Sequence, residues 1–126
     1  MPHLVILYTP QLDAETDMTA LCRALADAMV ALRDEQDQPV FPKGGTRVLA
    51  YPAAHHATTD GSGDHAFCYF NLRMGRGRSD AVQQAAGQAL IDVVRSHLAA
   101  VLARRPMGLT LQVDVALRDL LTAPSC

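Results

Sequence analysis

The chain opens Met1-Pro2-His3-Leu4-Val5-Ile6-Leu7-Tyr8, with a proline in second place feeding an apolar, β-branched run. An initiator methionine is trimmed when the second residue is small, which leaves Pro2 as an amino terminus with a free secondary amine at the mouth of a buried strand. An ordinary α-amino group titrates at roughly 7.7–8.0, and desolvation at an apolar strand end lowers that value by disfavouring the cation. The outcome is a general base poised around neutral pH. The plainer alternative is that Pro2 only begins a strand, where its missing N–H is not needed. A retained Met1 removes the chemistry altogether, because the amine becomes an amide.

Three other groupings invite chemistry. His55, His56, Asp60, Asp64 and His65 crowd one Gly-rich stretch, but without the helical or CxxC spacing that fixes ligand geometry, so no metal site is expected there. Gly75-Arg76-Gly77-Arg78 resembles a scrap of phosphate loop, yet it lacks the Lys-Ser/Thr ending, so nucleotide binding is not expected. His3 and His97 lie on apolar faces and are read as satisfied core or interface histidines. Cys22, Cys68 and Cys126 are odd in number and widely spaced, which suggests neither a disulfide framework nor a zinc site and fits a reduced cytoplasm.

At 126 residues the chain fits a single domain, 1–126. It is 49% hydrophobic but only 5% aromatic and has no Trp, so the core is built from Ala, Leu, Val and Met. A net charge of -2 and a pI near 6.2 give no basic footprint for nucleic acid. The apolar start breaks at Tyr8-Thr9-Pro10-Gln11, too short for a secretory core or a spanning helix, so neither export nor a membrane is expected.

These residues need elements to position them. The strand of residues 3–8 ends near Pro10, and a helix begins at Thr16 or Asp17, either of which can accept from the first free N–H groups. Leu21, Leu25, Ala28, Met29 and Leu32 share its apolar face. The polar run 33–38 and the breakers Pro39, Pro42, Gly44 and Gly45 make a loop to residue 45, followed by a strand from Thr46 to Tyr51. Residues 53–64 form a long connection that divides the chain.

The plan then repeats, as pseudo-repeats 1–60 and 61–126. Residues 66–74 form a strand, 75–77 a turn, and Ser79 caps a long helix running to Arg105, with Val82, Ala86, Ala89, Leu90, Val93, His97, Ala100 and Val101 as its apolar face. Leu109, Leu111, Val113 and Val115 alternate with polar residues, the period of a strand with one buried face. Two β-α-β units predict an α/β (α+β) fold, a four-stranded sheet with both helices on one face. Leu109, Leu111, Val113 and Val115, or their counterparts in the first half, then need cover on the other face, which implies burial against further subunits.

Three stretches carry a resemblance to a known family. Met1-Pro2-His3, Phe41-Pro42-Lys43-Gly44-Gly45-Thr46-Arg47, and Asp60-Gly61 through Asp64-His65-Ala66-Phe67 to Met74-Gly75-Arg76-Gly77-Arg78-Ser79 follow, in order and spacing, the 5-carboxymethyl-2-hydroxymuconate isomerases of the tautomerase superfamily. The resemblance implies that Pro2 is the catalytic base, that Arg47 and Arg78 face the substrate, and that the chain is a cofactor-free isomerase assembled as a homotrimer. Its substrate would be a small carboxylate, an unsaturated 2-hydroxy di- or tricarboxylate from the catabolism of aromatic acids, converted to its 2-oxo isomer. Arginine suits the task because its planar fork holds carboxylate in bidentate fashion and stays charged. Another activity of the superfamily, a phenylpyruvate-type tautomerase or a dehalogenase-like hydratase, or a non-catalytic trimeric binding protein of the same fold, remain the alternatives. The sequence departs from the family at Leu49, where a second arginine is expected and where Arg73 or Arg76 could substitute. It departs again in the long polar connection Arg33 to Val40 and in the short tail Pro124-Ser125-Cys126.

Overall fold

Four strands form one mixed sheet in the order β2-β1-β3-β4. They are β1 (His3–Tyr8), β2 (Arg47–Pro52), β3 (Phe67–Met74) and β4 (Gly108–Val115). The structure, a computed structural model, describes residues 2–61 and 64–118, so the Pro124-Ser125-Cys126 tail lies outside the described residues. β1 runs parallel to β2, β3 runs parallel to β4, and the two pairs meet antiparallel through β1 and β3. Each parallel pair is bridged by a helix: α2 (Met18–Ala31) in the first half, α3 (Asp80–His97) in the second. Between β1 and α2 lies a single turn, α1 (Leu12–Glu15), which the sequence reading missed because four residues show no period. Both helix starts match their expected caps. The Asp17 side chain accepts from Ala20 N, and Ser79 Oγ accepts from Val82 N at 3.2 Å.

The long second helix was expected to run unbroken to Arg105. It breaks at Leu98, whose φ of -93° and ψ of 9° leave the helical region, and resumes as α4 (Ala99–Arg104). Its buried stripe is Val82, Ala86, Leu90, Val94, Leu98 and Val101, a run of four-residue steps closing on one of three. Ala89, Val93 and His97 flank that stripe half-buried, and Ala100 is exposed. The expected face was therefore rotated by part of a turn, because alanines and a histidine were counted where Val94 and Leu98 do the packing.

Leu4, Ile6 and Tyr8 of β1 and Cys68, Phe70, Leu72 and Met74 of β3 point into the same core as Leu21, Leu25 and Met29 of α2. Residue parity along each strand fixes the rest. β4 pairs Leu109 with Cys68, Leu111 with Phe70 and Val113 with Leu72, so these apolar residues face the helices, and of the two expected alternatives it is the first-half counterparts that lie on the open side. The open side instead carries Val5, Leu7, Leu49 and Tyr51 on β1 and β2. There Leu7 is 45%, Leu49 39% and Tyr51 50% exposed. Its other half, on β3 and β4, is polar and paired internally: Tyr69 Oη donates to Gln112 Oε1 at 2.7 Å and Asn71 Nδ2 to Asp114 Oδ2 at 2.8 Å.

The strand directions put Pro2, Arg47, Met74 and the start of α3 at one end of the sheet. At the other end, Arg105 donates to Glu15 at 2.6 Å and to the Asp64 carboxylate at 2.9 Å, tying α4 to α1 and to the connection that precedes β3. No helix among the described residues is long and apolar enough to cross a membrane.

Candidate active site

Pro2 is buried at the head of β1, on the helix side that it shares with Leu4 and Ile6. Its carbonyl oxygen accepts from the backbone N–H of Arg47 at 3.3 Å, a bond that extends the β1–β2 ladder by one step. Parallel pairing is what brings these two residues together, because both open their strands at the same sheet end. The Arg47 side chain is exposed on the open side, level with His3.

Arg78 arrives by a different route. After β3 the chain turns through Gly75-Arg76-Gly77, and Gly77 has φ 113°, a conformation that strains any residue with a Cβ. Arg78 then folds back against the loop that leads into β2. Its Nε and Nη2 both donate to the Val40 carbonyl oxygen, at 3.1 and 2.9 Å, and Nη1 donates to Gly75 O at 3.4 Å. The guanidinium carbon lies 4.9 Å from the centre of the buried Phe41 ring, within cation–π range. One edge of the fork is thus fixed by a single carbonyl, and two of its five N–H bonds, one each on Nη1 and Nη2, have no acceptor among the described residues. Burial pulls the guanidinium pKa below its ordinary value, and arginine's wide margin keeps it charged near neutrality. The α3 N-terminus, capped by the next residue, adds partial positive charge beside it.

Of the three expected residues, Pro2 and Arg47 are joined by a backbone bond, and Arg78 is joined to the segment leading into Arg47. The sequence reading missed Val40 and Phe41 as the seat of Arg78. Only the apolar pair standing alone in a polar loop hinted at it.

Arg73 resolves into a definite place. On the open side one row runs across the sheet through Arg47, His3, Arg73 and Asp114, while Leu49 sits one step inward beside Val5. Arg73 Nε donates to Asn71 Oδ1. Hydrogen bonds from Asn71 and Gln112, helped by the charge of Arg73, hold the Asp114 carboxyl below its usual pKa. His3 was expected to be a satisfied core or interface histidine, and its Nδ1 is buried with no hydrogen-bond partner among the described residues of the single chain. His97 does find one, the Asp17 carbonyl oxygen at 3.0 Å. His55 and His56 are exposed at the far end of the sheet, and among the described residues no three His, Cys, Asp or Glu side chains are grouped to hold a metal.

The family model for 5-carboxymethyl-2-hydroxymuconate isomerase matches residues 2–122, the stretch that contains Pro2, Arg47 and Arg78. The chain belongs to this family. It is similar to a crystal structure of a 5-carboxymethyl-2-hydroxymuconate delta-isomerase, with 51% identity over 99% of this chain and 89% of that one and a TM-score of 0.92. It is also similar to a 5-carboxymethyl-2-hydroxymuconate isomerase from Deinococcus radiodurans R1, at 34% identity over 91% and 82% of the two chains and a TM-score of 0.80. The 5-carboxymethyl-2-hydroxymuconate Delta-isomerase of Escherichia coli is 25% identical over 114 residues, 90% of this chain and 86% of that protein. Beyond these isomerases the fold alone is shared with a fused 4-OT symmetric trimer, at 21% identity and a TM-score of 0.53. The isomerase family and the tautomerase fold expected from the motifs are therefore those of this chain.

Proposed function

We propose that this isomerase shifts a proton within an unsaturated 2-hydroxy di- or tricarboxylate of the 5-carboxymethyl-2-hydroxymuconate type, without a cofactor, and that Pro2 is its base. Removal of Met1 frees the Pro2 nitrogen. That nitrogen takes the proton of the enol hydroxyl, the oxygen's electrons form the 2-oxo group, the double bond moves along the chain, and the proton is returned to carbon from the same nitrogen. Proton, electrons and charge balance with no redox partner. Arg47 and Arg78 hold carboxylates and the charge that grows during transfer. The observation that supports this reading is the Arg47 N–H to Pro2 carbonyl bond, which joins Pro2 and Arg47 at one sheet end in a chain that matches the isomerase family over 2–122. The test is intact mass together with turnover of 5-carboxymethyl-2-hydroxymuconate. A processed chain that is active supports the reading, and a processed chain with no turnover of this or related 2-hydroxymuconates defeats it.

Assembly as a homotrimer belongs to the same reading. The apolar half of the open sheet face needs cover, its polar half is already paired and so costs little to bury, and a closed ring covers every copy alike. A protein of the same fold is a trimer. The cytoplasm suits the free thiols of Cys22 and Cys68.

A further inference from the structure

The connection 33–40, longer and more polar than the family pattern suggests, is a built hairpin. Arg33 and Pro39 form an antiparallel bridge, and inside it Asp34 N donates to the Gln38 carbonyl at 2.9 Å. Three residues close the loop, with Asp37 N donating to Asp34 O at 3.0 Å and Asp37 itself at φ 60°. That is the three-residue hairpin in which a type I turn is followed by a left-handed residue, and aspartate tolerates the last position. One side chain closes the loop. Asp34 Oδ1 accepts from both Gln36 N and Gln38 N, each at 2.9 Å.

The hairpin ends at the acceptor that orients Arg78. Val40 N donates back to Leu32 O at 3.1 Å, which holds the peptide just before the acceptor, and the Val40 carbonyl then takes both Nε and Nη2 of Arg78. A second tie docks the hairpin on the same helix start, where Ser79 Oγ donates to Glu35 Oε1 at 3.0 Å. Asp34, Val40 and Arg78 line one small cleft.

We propose that Asp34 is a positioning residue for Arg78: by closing the 34–38 turn it holds the Val40 carbonyl where that oxygen pins one edge of the guanidinium and leaves the other aimed for a carboxylate. The proposal rests on the reading of Arg78 as a substrate-binding arginine. It acts through hydrogen-bond acceptance, not charge. Asparagine in its place keeps the acceptor oxygen, whereas glutamate keeps the charge but moves it one methylene too far to cap the turn.

Two measurements on Asp34→Ala, Asp34→Glu and Asp34→Asn test it. Steady-state kinetics with 5-carboxymethyl-2-hydroxymuconate should give a KM raised about threefold to tenfold in Asp34→Ala and Asp34→Glu, with kcat within about twofold of wild type, and wild-type values in Asp34→Asn. In the Arg78→Ala background, Asp34→Ala should add nothing further. The second measurement is the rate at which phenylglyoxal modifies Arg78, followed by peptide mass spectrometry. It should rise about threefold or more in Asp34→Ala and Asp34→Glu and return to the wild-type rate in Asp34→Asn. An unchanged modification rate in Asp34→Ala and Asp34→Glu overturns the positioning role. A raised rate with wild-type kinetics in both Arg78→Ala and Asp34→Ala upholds the positioning role and removes Arg78 from substrate binding, so the two claims fail separately.

Discussion

Arg78 and Val40 stand 38 positions apart in the chain, yet two nitrogens of the one guanidinium share the carbonyl oxygen of the other. That bond couples the start of α3 to the loop that leads into β2, the strand that Arg47 opens.

Replacing Arg78 should therefore act on both stability and catalysis. Arg78→Ala leaves the buried Val40 with an unsatisfied carbonyl, at a cost of about 1–3 kcal/mol, and should lower kcat/KM by more than about tenfold. The Arg47 side chain is exposed. Arg47→Ala should mainly raise KM, with a denaturation midpoint near that of wild type. Kinetics and chemical denaturation of both variants check this, and unchanged KM in both shows that carboxylates are held elsewhere, with Arg73 and Arg76 next.

Pro2→Ala should fold and lose activity. A primary amine keeps some basicity but not the ring's fixed orientation, so kcat should drop by about 10- to 100-fold, less than the roughly 100- to 10,000-fold that a fully lost general base would cost. A second variant with residues added before Pro2, so that its nitrogen stays an amide, should be inactive. Wild-type turnover in either removes Pro2 as the base.

The buried thiol and phenol predict alkaline sensitivity. Burial pushes Cys68 up from 9.0 to about 12. Burial first, and then the hydrogen bond to Asp13 at 2.7 Å, push Tyr8 up from 10.0 to about 12. Both groups are acids whose folded pKa exceeds the unfolded one, so the native state binds the proton more tightly. Their contribution is complete below the unfolded values and is lost as pH rises toward 12. Burial raises the Cys22 thiol as well, so denaturant midpoints should fall from about pH 9 upward, and replacing both Cys22 and Cys68 with alanine should delay the onset of the fall toward about pH 10, where Tyr8 takes over. A flat profile across that range contradicts the assignment.

Assembly is tested on the open sheet face. Leu7→Glu puts a charge in the middle of the apolar half beside Tyr51, and burying it against another subunit would be costly. Sedimentation should give three times the 13.6 kDa chain mass for the wild type and a single chain for the variant, with activity lost alongside assembly. A wild-type protein that is monomeric and active contradicts the trimer.

Much of this protein is written locally. Asp17 and Ser79 cap their helices because a short acceptor side chain is what the first free N–H groups need, and both could be read one residue at a time. The period-2 run from Leu109 to Val115 and the spacing of Leu21, Leu25 and Met29 are likewise set by backbone geometry alone. The stretches that hold Pro2, Arg47 and Arg78 pointed to an isomerase on other grounds, because they resemble the motifs of the family whose model the chain matches.

What only the tertiary structure decided depends on register and on partners distant in the chain. Alternation in β4 showed that one face is apolar but not which, and pairing of Leu111 with Phe70 turned that face to the helices. The row Arg47, His3, Arg73 and Asp114 exists because four strands fix each other's offsets, and the break at Leu98 falls where no glycine or proline marks it. The hold of Val40 on Arg78 follows the same logic. A carbonyl is common to every residue, so nothing in a side-chain sequence says which one a guanidinium will meet until the fold has brought a particular peptide within hydrogen-bond reach.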